Sequence, residues 1–536
     1  MVSSTSRRNV ETTYAYLRKY ARNDDTWQPW TSPDTVDLAR QTVDALRNGK
    51  KVSLLQLESV VSLTAHPRSL YILGDLKLVD ACIERLVELQ RQDPTYPFGH
   101  EFGYLLFRVV ILAIGIRMIK RVSNRTYDII IDKLLENERM EDLSVVLMDY
   151  VTGTAVEHIC QTPLSPYSFL GWSSGARLYK DPLISEQNAL ALLSILWTDR
   201  KGFMKSWAES YAPSIFGIIC ITWKCVEMAS MRNHWDIFCE VFWRYYVVAG
   251  TDHSALAALR DSDQHHIDDW KLTTNRVDLE DARTIMQAYI ERITSGSILY
   301  PVPHLALVGE MVAFVVPMTR LTSGTEDLFI PLLRVTLEYF WWTVAGKTLH
   351  VKFNLQAETV ATVVLPAFNM LDHLTKHSPD RAREFVTTCA ELGMIEVLAK
   401  GIVLIRQNQF DRAEFGVLFQ VYDSFGASLA TVNPTTSIVS TFAPAFPDWY
   451  KALGYMRAQD TMFNTHARQK YGYKRAEPAW SNLGERLGYD KEVRGEVLSS
   501  GCAYARCPDP ASTKGVRFEC PCDQDVVYCG HHCQKA

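Results

Sequence analysis

The last part of this chain contains a cluster of six cysteines, and no other stretch restricts its local fold as strongly. The rest of the sequence holds only six more. A segment this short buries too little apolar surface to fold alone, so it needs disulfides or a metal. The polar start, residues 1–9, lacks the apolar run of a secretory signal, which predicts an intracellular protein, nuclear or cytoplasmic. In that reducing environment we expect zinc, and the alternative is a reactive or incidental thiol cluster. The predicted ligands are Cys502, Cys507, Cys520, Cys522, Cys529 and Cys533.

The spacing of these cysteines resembles that of MYND-type zinc fingers. Cys502-x4-Cys507 and Cys520-x-Cys522 form two short pairs, and a Tyr-Cys-x3-Cys-Gln run covers residues 528–534. The resemblance extends over the final segment alone and implies two zinc ions held in an interleaved arrangement. It assigns Cys502, Cys507, Cys529 and Cys533 to the first zinc, and it makes Cys520 and Cys522 the start of the second site.

The second zinc site departs from the family pattern. Asp523 stands where the fourth family cysteine falls, and Cys522 comes one position early. The family's final His-x3-Cys has no counterpart before Ala536, which leaves open whether the finger is truncated or holds one ion. His531 and His532 are a possible source of one more ligand, or they face solvent. We therefore expect one tightly held zinc and an incomplete second site.

Before this tail, the apolar residues recur at the three-and-four spacing of amphipathic helices. Examples are Leu54, Leu57 and Val61, and later Leu398, Ile402 and Ile405. Helix starts are predicted where a serine precedes proline or an acidic residue: Ser32-Pro33-Asp34, Ser185-Glu186 and Ser378-Pro379-Asp380. The most apolar run, Tyr104 to Ile119, contains two arginines and is too short to span a bilayer comfortably, so we expect a buried helix and no membrane association.

These patterns predict an all-α protein with a large, irregular, solenoid-like multi-helix body and a small C-terminal zinc finger. We expect a polar N-terminal arm over 1–30, the helical body over 31–430, a loop rich in proline, serine and threonine over 431–447, C-terminal helices over 448–498 and the finger over 499–536. The layout, with Trp480-x3-Gly484-Glu485-x-Leu487-Gly488 ahead of the finger, is similar to that of fungal MYND-type proteins.

Four short motifs resemble those of enzymes, and each lacks a required feature. Gly346-Lys347-Thr348 ends like a phosphate-binding loop, but Trp341 replaces its first glycine. His100-Glu101 starts a zinc-protease pattern without the second histidine. Gly171-Trp-Ser-Ser-Gly175 has the letters of a hydrolase nucleophile elbow but follows a turn-like segment instead of a buried strand. Asn233-His234 is similar to a methyltransferase motif, yet lies in a helical pattern.

The sequence therefore predicts a non-enzymatic adaptor or scaffold protein with a structural zinc finger. MYND resemblance implies a protein partner, in particular a short proline-containing peptide. Two other functions stay open: a SET-like methyltransferase or other enzyme in the helical body, and a zinc-dependent nucleic-acid binder. The net charge of −5 argues against strong nonspecific attraction to nucleic acid. The oligomeric state is not predicted.

Overall fold

A computed structural model of the chain confirms the predicted all-α, multi-helix architecture of the body. The residues that it describes are 14–20, 33–122, 127–132, 143–161, 166–172, 181–210, 214–229, 232–249, 252–262, 277–294, 303–319, 322–344, 357–403, 412–432, 435–461, 467–489, 518–520 and 523–528. The three helix starts predicted from serine signals are all observed, because helices begin at Pro33, Glu186 and Pro379.

The chain divides into two compact units, a boundary that the prediction of one body over 31–430 did not contain. The first unit comprises residues 1–274 and 295–302, and the second comprises residues 275–294 and 303–536. Amphipathic spacing shows which face of a helix is buried but not which other helix covers that face. The boundary therefore left no signal in the helix pattern.

The first unit contains eleven labelled helices among the described residues. They are α1 (Pro33–Arg47), α2 (Leu54–Val61), α3 (Leu76–Gln92), α4 (Glu101–Val122), α5 (Leu143–Ala155), α6 (Pro166–Leu170), α7 (Glu186–Thr198), α8 (Arg200–Glu209), α9 (Phe216–Ala229), α10 (Arg232–Val248) and α11 (His253–Ser262). Short 3-10 helices cover Ala15–Lys19, Ser62–Ala65 and Pro67–Leu73, and a π-helical turn, Val156–Cys160, continues α5.

Helix α4 is the central element of the first unit and packs against α2, α3, α5 and α9. Among the described residues it is the one helix long and apolar enough to cross a membrane, yet 89% of its most apolar window is buried inside the fold. Arg117 is accommodated because its guanidinium donates to the backbone carbonyls of Leu183 at 2.9 Å and Pro182 at 2.7 Å. The buried helix expected over Tyr104 to Ile119 is therefore confirmed.

The N-terminal arm predicted over 1–30 includes a short 3-10 helix, Ala15–Lys19, that is attached to the first unit. Tyr16 donates its hydroxyl to the carbonyl of Phe98 at 2.6 Å, and Tyr20 donates to Glu101 at 2.7 Å. Lys19 pairs with Glu101 at 3.0 Å as well. These bonds fix the described part of the arm to the start of α4.

The second unit contains ten labelled helices and a short β-ladder among the described residues. They are α12 (Leu279–Thr294), α13 (Leu305–Thr319), α14 (Phe329–Val344), α15 (Ala357–His377), α16 (Pro379–Glu391), α17 (Met394–Val403), α18 (Arg412–Thr431), α19 (Thr435–Phe442), α20 (Phe446–Thr461), α21 (Ala467–Arg486), β1 (Phe518–Cys520) and β2 (Asp523–Tyr528). Helices α12, α13, α15, α18 and α21 pack one against the next in that order. The second unit is therefore multi-helical, as the sequence predicts.

The loop predicted over 431–447 is largely helical, and that prediction is wrong. Helix α19 and the 3-10 helix Ala443–Ala445 occupy most of it. Serine and threonine disfavour a helix only weakly, and Pro444 and Pro447 stand in first turns, where proline is tolerated. Phe442 is fully buried and Ile438 nearly so. Burial of these side chains outweighs the weak local preference, which amounts to tenths of a kcal/mol per residue.

Helices α20 and α21 are joined by a reciprocal tryptophan pair. The indole of Trp449 donates to the carbonyl of Trp480 at 2.9 Å, and the indole of Trp480 donates to the carbonyl of Trp449 at 2.9 Å. Gly484 lies directly under the Trp449 ring, where a β-carbon would come within 2.1 Å of it. Trp480 and Leu487, from the Trp-x3-Gly-Glu-x-Leu-Gly stretch, are fully buried, so this stretch forms a helix–helix contact.

Candidate functional site

Of the six predicted zinc ligands, Cys520 alone lies within the described residues, as the last residue of β1. Cys502, Cys507, Cys522, Cys529 and Cys533 lie outside them, as do His531 and His532. The predicted zinc ligands therefore stay a prediction. What the structure adds is the backbone between them.

This backbone forms a two-stranded antiparallel ladder on either side of the second cysteine pair, and its second strand ends just before the third pair. Phe518 pairs with Tyr528, Glu519 pairs with Val527, and Cys520 pairs with Asp523 across an irregularity in the register. Cys520 thus stands where the chain reverses, whereas Tyr528, which precedes Cys529, stands at the opposite end of the ladder. Asp523, in the position of the missing family cysteine, is the direct strand partner of Cys520.

The His100-Glu101 motif takes part in local contacts that differ from those of a metalloprotease. The Nε2 atom of His100 lies 2.9 Å from Asp93 and 3.0 Å from the hydroxyl of Thr95. These are local hydrogen bonds within the loop before α4. The Glu101 carboxylate accepts from Tyr20 and Lys19. The group holds the arm and the loop before α4 in place.

The other three enzyme-like motifs lie in helices or outside the described residues. Trp341 is part of α14 and donates to the carbonyl of Leu392 at 2.7 Å, while residues 345–350 lie outside the described part. Gly171 and Trp172 follow α6, and the indole of Trp172 donates to Ile184 at 2.7 Å; Ser173 lies outside. Asn233 and His234 fall within helix α10, as the sequence pattern indicated.

A buried polar cluster lies at the N-terminal end of α9, and the sequence analysis did not identify it. We call it the Asp252 cluster; it comprises Thr152, Ser214, Tyr245 and Asp252. Asp252 is 2% exposed. Its carboxylate accepts a hydrogen bond from the hydroxyl of Tyr245 and a longer one, 3.4 Å, from Thr152. Thr152 and Ser214 lie 3.3 Å apart through their hydroxyls.

Burial dominates the electrostatics of the Asp252 cluster. It raises the pKa of the Asp252 carboxyl, and the nearby charge of Asp149 adds to the effect, while bonds from Ser214, Tyr245 and Thr152 oppose it. Burial likewise raises the pKa of Tyr245 well above its usual value, and the charge of Asp252 and its hydrogen bond with Tyr245 add to this increase. The backbone N–H of Ile215 donates to the Tyr245 hydroxyl at 3.0 Å. Each polar atom of the carboxyl–hydroxyl contact thus has a partner, and the cluster connects α5, α9, α10 and α11.

A second buried carboxyl, Asp199, stands between α7 and α8. It is 7% exposed, and its Oδ2 accepts from the backbone N–H of Phe98 at 2.7 Å. Burial raises its pKa to about 7, although backbone N–H groups of Phe98, Gly202 and Gly99 oppose the shift. A carboxyl titrating near neutrality has the pKa of a general acid or base. Its oxygens, however, are occupied by backbone donors, so it acts as a clamp on the loop before α4.

In the second unit, Glu396 is the corresponding buried carboxyl, in the first turn of α17. Burial raises its pKa to about 7, and the charge of Asp448 contributes in the same direction. Asp448 itself lies 3.8 Å from Lys451. The sequence did not predict the burial of Asp199, Asp252 or Glu396, because single acidic residues beside helix ends are usually solvated.

Within the described residues, no group of three or more His, Cys, Asp or Glu side chains is placed to hold a metal ion. Models of known protein families, curated proteins and solved structures gave no match to this chain. The chemistry of the tail and the packing of the body are therefore the features that bear on function.

Proposed function

We propose that this chain is an intracellular protein-interaction protein, an adaptor or scaffold, whose tail is a structural zinc finger. The clustering of six cysteines in the last 35 residues is the observation that carries the proposal. The ladder within the tail has strands of three and six residues. An isolated two-stranded ladder is marginally stable at best in water. Zinc supplies the missing stability because its binding energy becomes folding energy.

The register of the ladder supports a division of the cysteines between two sites. Two thiolates on one zinc lie about 4 Å apart, since each Zn–S bond is about 2.3 Å. Cys520 stands where the chain reverses. Cys529 follows Tyr528, which pairs with Phe518 at the other end of the ladder, two residues before Cys520. We assign Cys529 to the first zinc, with Cys502, Cys507 and Cys533, and Cys520 with Cys522 to the weaker second site.

Four thiolates close the coordination sphere of a zinc ion, and a closed site serves structure and not catalysis. In the body, the residues of the enzyme-like motifs that the structure describes take part in helix packing and local hydrogen bonds. We therefore propose that the protein acts through its surfaces, with the finger presenting a rigid groove to a short proline-containing peptide of a partner protein.

Zinc content of the full chain tests the first half of this proposal. Elemental analysis of reduced, purified protein is expected to give one tightly held zinc and a weaker second. Cys529→Ser is expected to lose the tight zinc, whereas the body variant Cys225→Ala is expected to retain it. A chain that contains no zinc under reducing conditions, or a Cys529→Ser variant with full zinc content, would overturn the proposal.

Binding measurements test the second half. Fluorescence polarisation with labelled proline-containing peptides is expected to show binding that chelation of zinc abolishes and that changes little with salt. Binding to duplex or single-stranded nucleic acid that falls steeply with salt would instead identify a nucleic-acid binder. Binding of a methyl donor, followed by tryptophan fluorescence, would instead identify an enzyme in the body.

A further inference from the structure

Two cysteines of the first unit, separated by 60 residues in sequence, lie with their sulfur atoms in contact. Cys160 ends the π-helical turn after α5, and Cys220 lies in α9; their Sγ atoms are 3.5 Å apart. Neither belongs to the tail. We propose that Cys160 and Cys220 form a redox-active thiol pair that oxidised low-molecular-weight disulfides convert into a reversible intramolecular disulfide.

Disulfide formation requires only a small movement of the two sulfur atoms. A disulfide needs a sulfur–sulfur distance of about 2.05 Å, so the two atoms must approach each other by about 1.5 Å. Cys160 is the last residue of its helical turn. A shift at a helix end disturbs fewer backbone hydrogen bonds than one in its interior. Cys225, one turn further along α9, instead points its sulfur at the carbonyl of Glu186, 3.5 Å away.

The two thiols differ in their access to a reagent. Cys160 is partly exposed, whereas Cys220 is fully buried. Burial raises the pKa of Cys220 well above its usual value, contact with Cys160 adds to this effect, and the charge of Lys224 opposes it. An external oxidant therefore reaches Cys160 first, and Cys220 resolves the intermediate from inside the fold.

With oxidised glutathione the reaction has two exchange steps. Cys160 loses its proton and its thiolate attacks one glutathione sulfur, which forms a mixed disulfide and releases one glutathione thiolate that takes up that proton. Cys220 then attacks the Cys160 sulfur, and the second glutathione leaves as a thiolate that takes up the proton lost by Cys220. One disulfide is reduced to two thiols while two protein thiols are oxidised to one disulfide, so electrons and protons balance.

The bond would connect α5 with α9 beside the Asp252 cluster. Cys220 is close enough to that cluster for the charge of Asp252 to raise its pKa. Thr152 of α5 and Ser214, which precedes α9, already contact each other there through their hydroxyls. Oxidation is therefore expected to reinforce a junction between these two helices that the reduced protein holds by noncovalent contacts.

Peptide mapping tests the proposal on the folded, full-length protein. Trypsin separates Cys160, in residues 140–177, from Cys220, in residues 206–224, and cleavage after Lys224 places Cys225 in a third peptide. After treatment with oxidised glutathione, alkylation and digestion, we expect the first two peptides to be linked, with a mass about 2 Da below the sum of the free thiols. Dithiothreitol is expected to release them.

Two variants make the outcome decisive. Cys220→Ala is expected to leave Cys160 as a glutathione adduct with no linked peptide, and Cys225→Ala is expected to form the link as the parent does. A parent protein in which Cys160 accumulates only as the glutathione adduct would overturn the proposal. So would a link that joins Cys160 to a cysteine of the tail as often as to Cys220.

Discussion

The contact between Trp449 and Gly484 makes a sharp prediction about the second unit. In a Gly484→Ala variant, the added β-carbon would lie 2.1 Å from Cζ2 and 2.4 Å from Cε2 of Trp449. Carbon atoms pack at about 3.5 Å, so the indole ring must move by about 1.4 Å. Such a shift strains the hydrogen bond from the Trp449 indole to the carbonyl of Trp480, now 2.9 Å long.

Three effects set the magnitude of this change. Overpacking of a well-packed core costs about 1–3 kcal/mol, and a buried indole N–H without its partner costs about 1–3 kcal/mol. Replacing glycine by alanine inside a helix returns about 1 kcal/mol. We expect a net loss of about 1–5 kcal/mol with a central value of about 3 kcal/mol, which lowers the melting temperature of a unit of this size by about 6–12 °C.

Gly454 is a matched control on the facing helix. It lies in α20, is exposed, and has no atom within 4 Å of its hypothetical β-carbon. Gly454→Ala is therefore expected to stabilise the protein by about 1 kcal/mol through helix propensity alone. The two identical substitutions should change stability in opposite directions.

Thermal unfolding followed by circular dichroism and tryptophan fluorescence measures both variants. Trp449→Phe supplies the double-mutant cycle: a smaller ring makes room for the β-carbon, so the cost of Gly484→Ala should be lower in that background. A Gly484→Ala protein as stable as the parent, or equal costs in the two backgrounds, would refute the packing described for α20 and α21.

The remaining predictions concern charge, metal and redox state. Asp199 has a folded-state pKa of about 7, above its unfolded value of about 3.9. Its protonation therefore contributes on the order of 4 kcal/mol to the free energy of unfolding; this contribution is complete below pH 4 and is lost as the pH rises through 7. In urea titrations from pH 4 to 8, the stability of Asp199→Asn should not show this decline. A variant whose stability falls with pH in parallel with that of the parent would contradict the raised pKa of Asp199. Cys520→Ser should lose only the weaker zinc and Cys529→Ser the tighter one, in competition titrations with a chromogenic chelator; equal losses would contradict the division. The Cys160–Cys220 disulfide closes a 60-residue loop and should stabilise the first unit by about 4 kcal/mol, and an unchanged melting temperature on oxidation would argue against it.

The sequence predicted the class of fold and several helix starts because both depend on local physics. The Ser185 cap marks the helix that begins at Glu186, and a proline marks the first position of the helices that begin at Pro33 and Pro379. The burial of α4 was equally predictable, because its residues from Tyr104 to Ile116 are nearly all apolar, and sixteen residues of the helix are buried. The interpretation of 431–447 failed because proline and threonine content was weighed without the burial of Phe442.

The polar sites were harder to predict because they depend on contacts between residues far apart in the sequence. The Asp252 cluster brings Thr152 within reach of a carboxylate 100 residues later. Asp199 accepts from Phe98, 101 residues earlier. No spacing rule connects such pairs. The cysteine tail differs, because its predicted zinc ligands lie within one short segment, and the prediction depends on their spacing alone.

The two cysteine sets are expected to respond differently to the same oxidant, for a physical reason. A thiolate bound to zinc has donated its lone pair to the metal and is a weaker nucleophile than a free thiolate, and the closed site excludes a second ligand. Cys160 has no such protection and already touches Cys220. Mild oxidation should therefore form the disulfide between Cys160 and Cys220 while the finger keeps its zinc. Stronger oxidation should then release the metal. The order of these two events, followed by zinc release and peptide mapping in one titration, connects the proposed structural role of the tail with the proposed redox role of the body.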